Sequence, residues 1–110
     1  MIVGGGPAGL STALHLHAAA PATRMVVLEA ETYPREKICA GGIGARALRI
    51  LERQGVALDC PMVPIHAMTL RFAHDEVTVR DPDLGVVVRR VQFDHALARA
   101  AQAGGITVRD

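Results

Sequence analysis

Gly4-Gly5-Gly6-Pro7-Ala8-Gly9 constrains this chain more than any other six residues. The run follows a short apolar stretch, Met1 to Gly4, and precedes Leu10, Ala13, Leu14 and Ala18, which recur at helical spacing until Pro21. A G-x-G-x-x-G pattern set between a strand and a helix is the fingerprint of a dinucleotide-binding turn. Its residues have separate tasks. Gly4 permits the tight turn, Gly6 lets backbone approach a diphosphate closely, and Gly9 lets the helix pack against the sheet. Pro7 suits a first helical turn, where its missing N–H leaves nothing unsatisfied. The helix is expected over roughly residues 7–20, and its free N–H groups, from Ala8 onward, then face the phosphates.

Met25 to Glu29 is a continuous apolar strand ending in an acid, the pattern of a buried parallel strand. Strand, helix and strand in this order predict a right-handed βαβ unit. Glu29 lies twenty residues after Gly9, close to where a dinucleotide fold places the acid that accepts hydrogen bonds from the adenosine ribose. A carboxylate there repels a 2′-phosphate, which disfavours NADP as the ligand of this site. An ordinary solvated glutamate at a strand end is the plain alternative; two elements in register favour the nucleotide. Fingerprint and acid together do not separate FAD from NAD.

Downstream, residues 30–44 are rich in turn formers and without periodicity, so they read as a long functional loop. Ala45 to Gln54 predicts a helix closed by Gly55. Cys60-Pro61-Met62-Val63-Pro64 reads as a rigid connector, because two prolines three apart block a helix. Residues 67–80 alternate as two strands joined around Ala73 to Asp75, a hairpin excursion. Val86 to Val88 predicts a further short strand. Phe93, Ala96, Leu97, Ala100 and Ala101 then form a helical stripe ended by Gly104 and Gly105, and a last strand begins at Ile106. A sheet stopping on its newest strand leaves unpaired backbone groups, from which the domain is expected to be truncated.

Half of the 110 residues are hydrophobic, enough for one packed core. Twelve basic and eleven acidic residues are interspersed, for a net charge of +1, so there is no basic stripe and nucleic acid is not expected as a partner. No apolar run is long enough to span a bilayer and the N-terminus lacks a secretory signal, from which a cytoplasmic location is expected. Cys39 and Cys60 form no C-x-x-C pair, which suits a reducing compartment. The five histidines are scattered, and no metal site is expected.

Tyr33-Pro34-Arg35-Glu36-Lys37-Ile38-Cys39-Ala40-Gly41-Gly42-Ile43, followed by Arg46-Ala47-Leu48, resembles the segment after the second strand of the geranylgeranyl reductase and aromatic hydroxylase group of flavoproteins. Arg90-Val91-Gln92-Phe93-Asp94 with Leu97 is similar to the same group's R-x-x-F-D-x-x-L element, and Gly6-Pro7-Ala8-Gly9 is its usual phosphate loop. Ala40, where a glycine is common, and Gly44-Ala45, where a proline often stands, depart from the group's pattern.

The resemblance implies an α/β, Rossmann-like FAD-binding half-domain of the glutathione reductase type. It implies a loop with Lys37, Cys39, Ala40 and Gly41 passing under the flavin, and Arg90 near the flavin's phosphate and ribitol. Lys37 would offset phosphate charge, and the N–H groups of Gly41 and Gly42 would face the isoalloxazine edge. Each has a plainer reading: Arg35 and Lys37 as solvated loop charges, Cys39 as a small buried hydrophobe with no redox task, and Arg90 as an ion pair with Asp94 at i,i+4. The implied activity is an FAD-dependent oxidoreductase reducing C=C bonds of prenyl lipids, with NAD(P)H as an electron donor. A small-molecule or lipid substrate would bind in a further domain, and the whole enzyme would associate peripherally with membranes. A flavin monooxygenase or halogenase, and a non-catalytic or NAD-binding module, are the other two readings. No catalytic acid or base is identifiable.

Overall fold

The computed structural model describes residues 1–110 as two small sheets with three helices. Strand β1 (Ile2–Val3) runs into helix α1 (Pro7–Ala19), which returns the chain to β2 (Val26–Leu28). The second sheet follows: β3 (Gly42–Gly44), helix α2 (Ala45–Arg53), β4 (Met62–Arg71) and β5 (Glu76–Val88). Helix α3 (Arg90–Ala103) then leads back to β6 (Thr107–Arg109). The first sheet is all parallel in the order β1-β2-β6, with Ile2 opposite Val27 and Val27 opposite Val108. The second is antiparallel in the order β3-β5-β4.

One apolar cluster joins the two sheets. Leu10, Ala13 and Leu14 of α1 and Phe93, Leu97 and Ala101 of α3 pack with Val27 and Val88 under it, and Leu51 and Val56 extend it to α2. The α1 and α3 members are among the periodic positions that predict those helices, because a helix is held in place by the stripe it buries; Ala18, expected on the α1 stripe, is exposed. The α/β reading with a parallel strand-helix-strand start and a hairpin excursion holds.

The strand boundaries differ from expectation in three places. Met62–Pro64 is not a connector but the start of β4, with Pro64 opposite Val86. β4 is an edge strand, where proline's missing N–H removes no ladder bond. Val86–Val88 is not a separate short strand but the end of a 13-residue β5. Its periodicity is broken by Asp81-Pro82-Asp83, where the register slips between Ile65 and Ala67 in a bulge. Within the loop after β2, Gly42–Gly44 pairs with β5 as β3. Gly85, opposite Gly44, has φ of 150°, and a Cβ there would strike the carbonyl of Ile43.

Candidate functional site: a glycine turn ringed by charge

The glycine turn and Glu29 emerge at the same end of the parallel sheet. Gly4 N–H donates to the Leu28 carbonyl at 2.8 Å, and Glu29 N–H to that of Arg109 at 2.8 Å. Gly4 has φ of 101°, a left-handed conformation that glycine adopts without penalty. A Cβ on Gly9 would run into the carbonyl oxygen of Gly4, so its absence is what brings α1 close to β1. Gly5, to which the fingerprint gives no task, is buried. Its N–H donates to Glu29 Oε2 at 2.9 Å and its carbonyl accepts from the Tyr33 hydroxyl.

Gly6 caps α1, and no side chain supplies a cap bond or an acidic group in the first turn. The helix therefore keeps free N–H donors and the positive end of its dipole for another acceptor. A Cβ on Gly6 would lie 3.8 Å from Arg35 Nη2 and 3.9 Å from Arg90 Nη2. Two guanidinium groups, both bonded to Asp94, thus approach the turn at Gly6.

Arg35 departs most from its sequence reading. It is no solvated loop charge: it is 7% exposed, with Nη2 donating to Glu29 Oε2 and Nη1 to Asp94 Oδ2, both at 2.9 Å. Its Nε is buried with no acceptor. Arg90 forms the expected i,i+4 pair with Asp94, as a fork: Nε to Oδ1 at 2.6 Å and Nη2 to Oδ2 at 2.8 Å. Asp94 is fully buried. Tyr33 closes the far side, stacked on His95 with ring centroids 6.2 Å apart and with the Arg35 guanidinium 5.3 Å over its own ring.

The protonation equilibria follow from these contacts. Burial pushes the Glu29 carboxyl up, but the Arg35 hydrogen bond and the N–H groups of Ala30 and Gly5 outweigh it and hold the group below its usual range. Burial pushes the Tyr33 hydroxyl up to about 12. Burial lowers Arg35, and its bonds to Glu29 and Asp94 more than restore it, so it stays charged.

The loop after Arg35 is arranged differently from the expectation that it presents donors to a ring. Lys37, Cys39 and Ala40 are exposed, so Cys39 is not the buried hydrophobe of its plainer reading. Lys37, Cys39 and Arg90 line one polar cleft of about 390 Å³. Gly41 N–H turns back to Cys39 Sγ at 3.4 Å, and its carbonyl accepts from Val88 N–H at 3.0 Å. Gly41 has φ of 77°, and a Cβ on it would strike Val88, so this glycine is placed for packing against β5. Gly42 belongs to β3. The Gly41 bond and Arg90 lower the Cys39 thiol. Pro7 and Ala8 line a second, apolar cavity of about 420 Å³ with Ile43, Ala47 and Phe93.

The groups able to hold a dinucleotide are therefore the α1 amides over Gly6, Arg35, Arg90 and Glu29. Glu29 Oε1 accepts only from the N–H groups of Ala30 at 2.9 Å and Glu31 at 3.4 Å. Gly6, Glu29 and Arg90 are sequence candidates for this site, whereas Arg35 is not, and the Arg35–Asp94 bond has no sequence signal. The burial of Arg35 is not legible from a loop without periodicity.

Comparison with known proteins places the chain in a family. A family model described as FAD binding domain matches residues 1–110. The flavin-dependent halogenase CmlS is 28% identical over 98% of this chain and 21% of its own, with a TM-score of 0.82. The Diels-Alderase PyrE3 of pyrroindomycin biosynthesis is 28% identical over 98% of this chain and 24% of its own, at 0.73. A geranylgeranyl bacteriochlorophyll reductase-like protein from Thermoplasma acidophilum shares the fold at 20% identity, over 96% of this chain and 28% of its own, at 0.73. The chain thus spans about a fifth to just over a quarter of these structures. No curated protein matches it.

Proposed function

The chain belongs to the FAD-binding domain family, and from that premise we propose that it holds the adenosine diphosphate half of FAD over Gly4–Gly9 within a flavin-dependent oxidoreductase. FAD supplies the redox chemistry when bound; the protein supplies position and charge. The diphosphate lies over Gly6 against the free amides of α1, with Arg35 and Arg90 on either side, and Glu29 takes the ribose hydroxyls through Oε1. Lys37 and Cys39 line the adjoining cleft with Arg90. The observation that carries this reading is the pair of Nη2 atoms within 4 Å of the position a Gly6 Cβ would take, at a helix end that no side chain caps.

For the reaction of the whole protein, the segment Tyr33 to Ile43 supports reduction of prenyl C=C bonds with NAD(P)H as donor. A second reading is a flavin-dependent hydroxylase or halogenase; its halogenase form is supported by the flavin-dependent halogenase at 28% identity. The two are separated by product: saturation of a polyprenyl chain, or halogen or oxygen carried into a ring.

Cofactor choice has a simpler test. Titration of the full chain with FAD should give a yellow complex with visible absorption bands that excess NAD does not displace. A colourless chain that binds NAD in preference would overturn the proposal.

A further inference from the structure

Asp94 is the one fully buried charged side chain of the molecule, and it does not touch the turn. Only Arg35 Nη2 and Arg90 Nη2 come within 4 Å of where a Gly6 Cβ would stand. Behind them, the single carboxylate of Asp94 accepts three hydrogen bonds, from Arg35 Nη1, Arg90 Nε and Arg90 Nη2. Two guanidinium groups brought side by side repel, and a carboxylate between them is what lets both stay charged and still. Stability alone is a poor reason for such a group. A buried ion cluster gains little over an apolar replacement, because desolvation offsets the attraction. This cluster also leaves Arg35 Nε buried without an acceptor, a cost that packing does not explain.

We infer that Asp94 is a positioning residue for diphosphate binding: it fixes the two arginines as a preformed clamp whose Nη2 groups meet the anion over Gly6. This rests on the proposed seat of FAD. Together with Glu29 the cluster carries two positive and two negative side chains, so it is neutral before a ligand arrives. Asp94 therefore contributes no attraction of its own. Its effect is to hold the donors at the right separation, and it acts only on a ligand that carries phosphate.

That selectivity provides the test. ADP, FAD and adenosine are titrated into the full chain and into Asp94→Asn, with thermal unfolding followed in parallel. Asp94→Asn should weaken ADP and FAD by about tenfold or more, the scale of a displaced charge-assisted hydrogen bond. It should weaken adenosine clearly less than ADP, because Asp94 reaches Glu29 only through Arg35 and the Glu29 Oε1 keeps its own bonds to the N–H groups of Ala30 and Glu31. Asp94→Glu, which keeps the charge, should recover part of the ADP affinity. Equal loss of ADP and adenosine, in step with a lower melting temperature, would mean a structural role only and would overturn the inference; so would unchanged ADP binding. If Asp94→Asn does not fold, Arg90→Gln at the partly exposed rim should give the same selective loss, and an unaltered ratio of ADP to adenosine affinity refutes the clamp. A wild-type chain that takes up neither ADP nor FAD refutes the proposed function itself, which separates that failure from failure of the clamp alone.

Discussion

Glu29 divides its two oxygens between two sets of protein contacts. Oε2 accepts from Gly5 N–H and Arg35, while Oε1 faces the strand tip and the N–H groups of residues 30 and 31. The same side chain thus fixes the turn, and under the proposed function its Oε1 is the acceptor for the ribose. Because its carboxyl is held below the usual range in the folded chain, its contribution to stability is present above the unfolded value, about 4.3. It is lost as pH falls through the lower, folded value. Glu29→Gln should therefore flatten the acid limb of a melting-temperature profile taken from pH 7 to pH 3, and should weaken adenosine binding at neutral pH. A profile parallel to the wild type would contradict the Arg35 and Gly5 contacts. At this scale the glycine turn and the Arg90–Asp94 pair are legible because they are set by local backbone and by i,i+4 spacing. Arg35 is not, because a charge in an aperiodic loop is buried only by partners 6 and 59 residues away.

Among the elements, helices were the easiest to read and the antiparallel sheet the hardest. The stripes of α1 and α3 mark their own buried faces, whereas β4 and β5 contain Pro64, Pro82 and Gly85, each of which locally looks like an ending. An edge position and a bulge accommodate them. The distal ribbon is amphipathic across its pairs: Met68 faces Val79 and Leu70 faces Val77, with Thr69 and Thr78 hydrogen-bonded between these pairs. These apolar residues are about half exposed, Leu70 at 47% and Val77 at 52%, against 1% for Leu97 of α3. Leu70→Ala should accordingly change unfolding free energy by only about 0.5 kcal/mol. Leu97→Ala should cost about 2–5 kcal/mol through the cavity it leaves. Comparable losses in denaturant titrations would mean that the ribbon is packed in solution.

The whole molecule is elongated, 52 × 27 × 24 Å, with the antiparallel sheet beside a parallel one whose strand ends carry the site. No helix is long and apolar enough to cross a membrane. The parallel sheet brings Gly4–Gly9 and Glu29 together because β1 and β2 are neighbours in register. Helix α3 then delivers Arg90 and Asp94 from 80 residues downstream to the same point. The proposed seat of FAD requires volume for a diphosphate over Gly6, where a Cβ would come 3.8 Å from Arg35 Nη2 and 3.9 Å from Arg90 Nη2. Gly6→Val tests it most directly, because the new side chain occupies that volume without removing any donor. Titration of FAD followed by flavin fluorescence should show affinity falling by about a hundredfold or more, on the scale of several lost charge-assisted bonds, while the circular dichroism of the chain stays unchanged. Retention of FAD at wild-type affinity by a folded Gly6→Val chain would contradict the account.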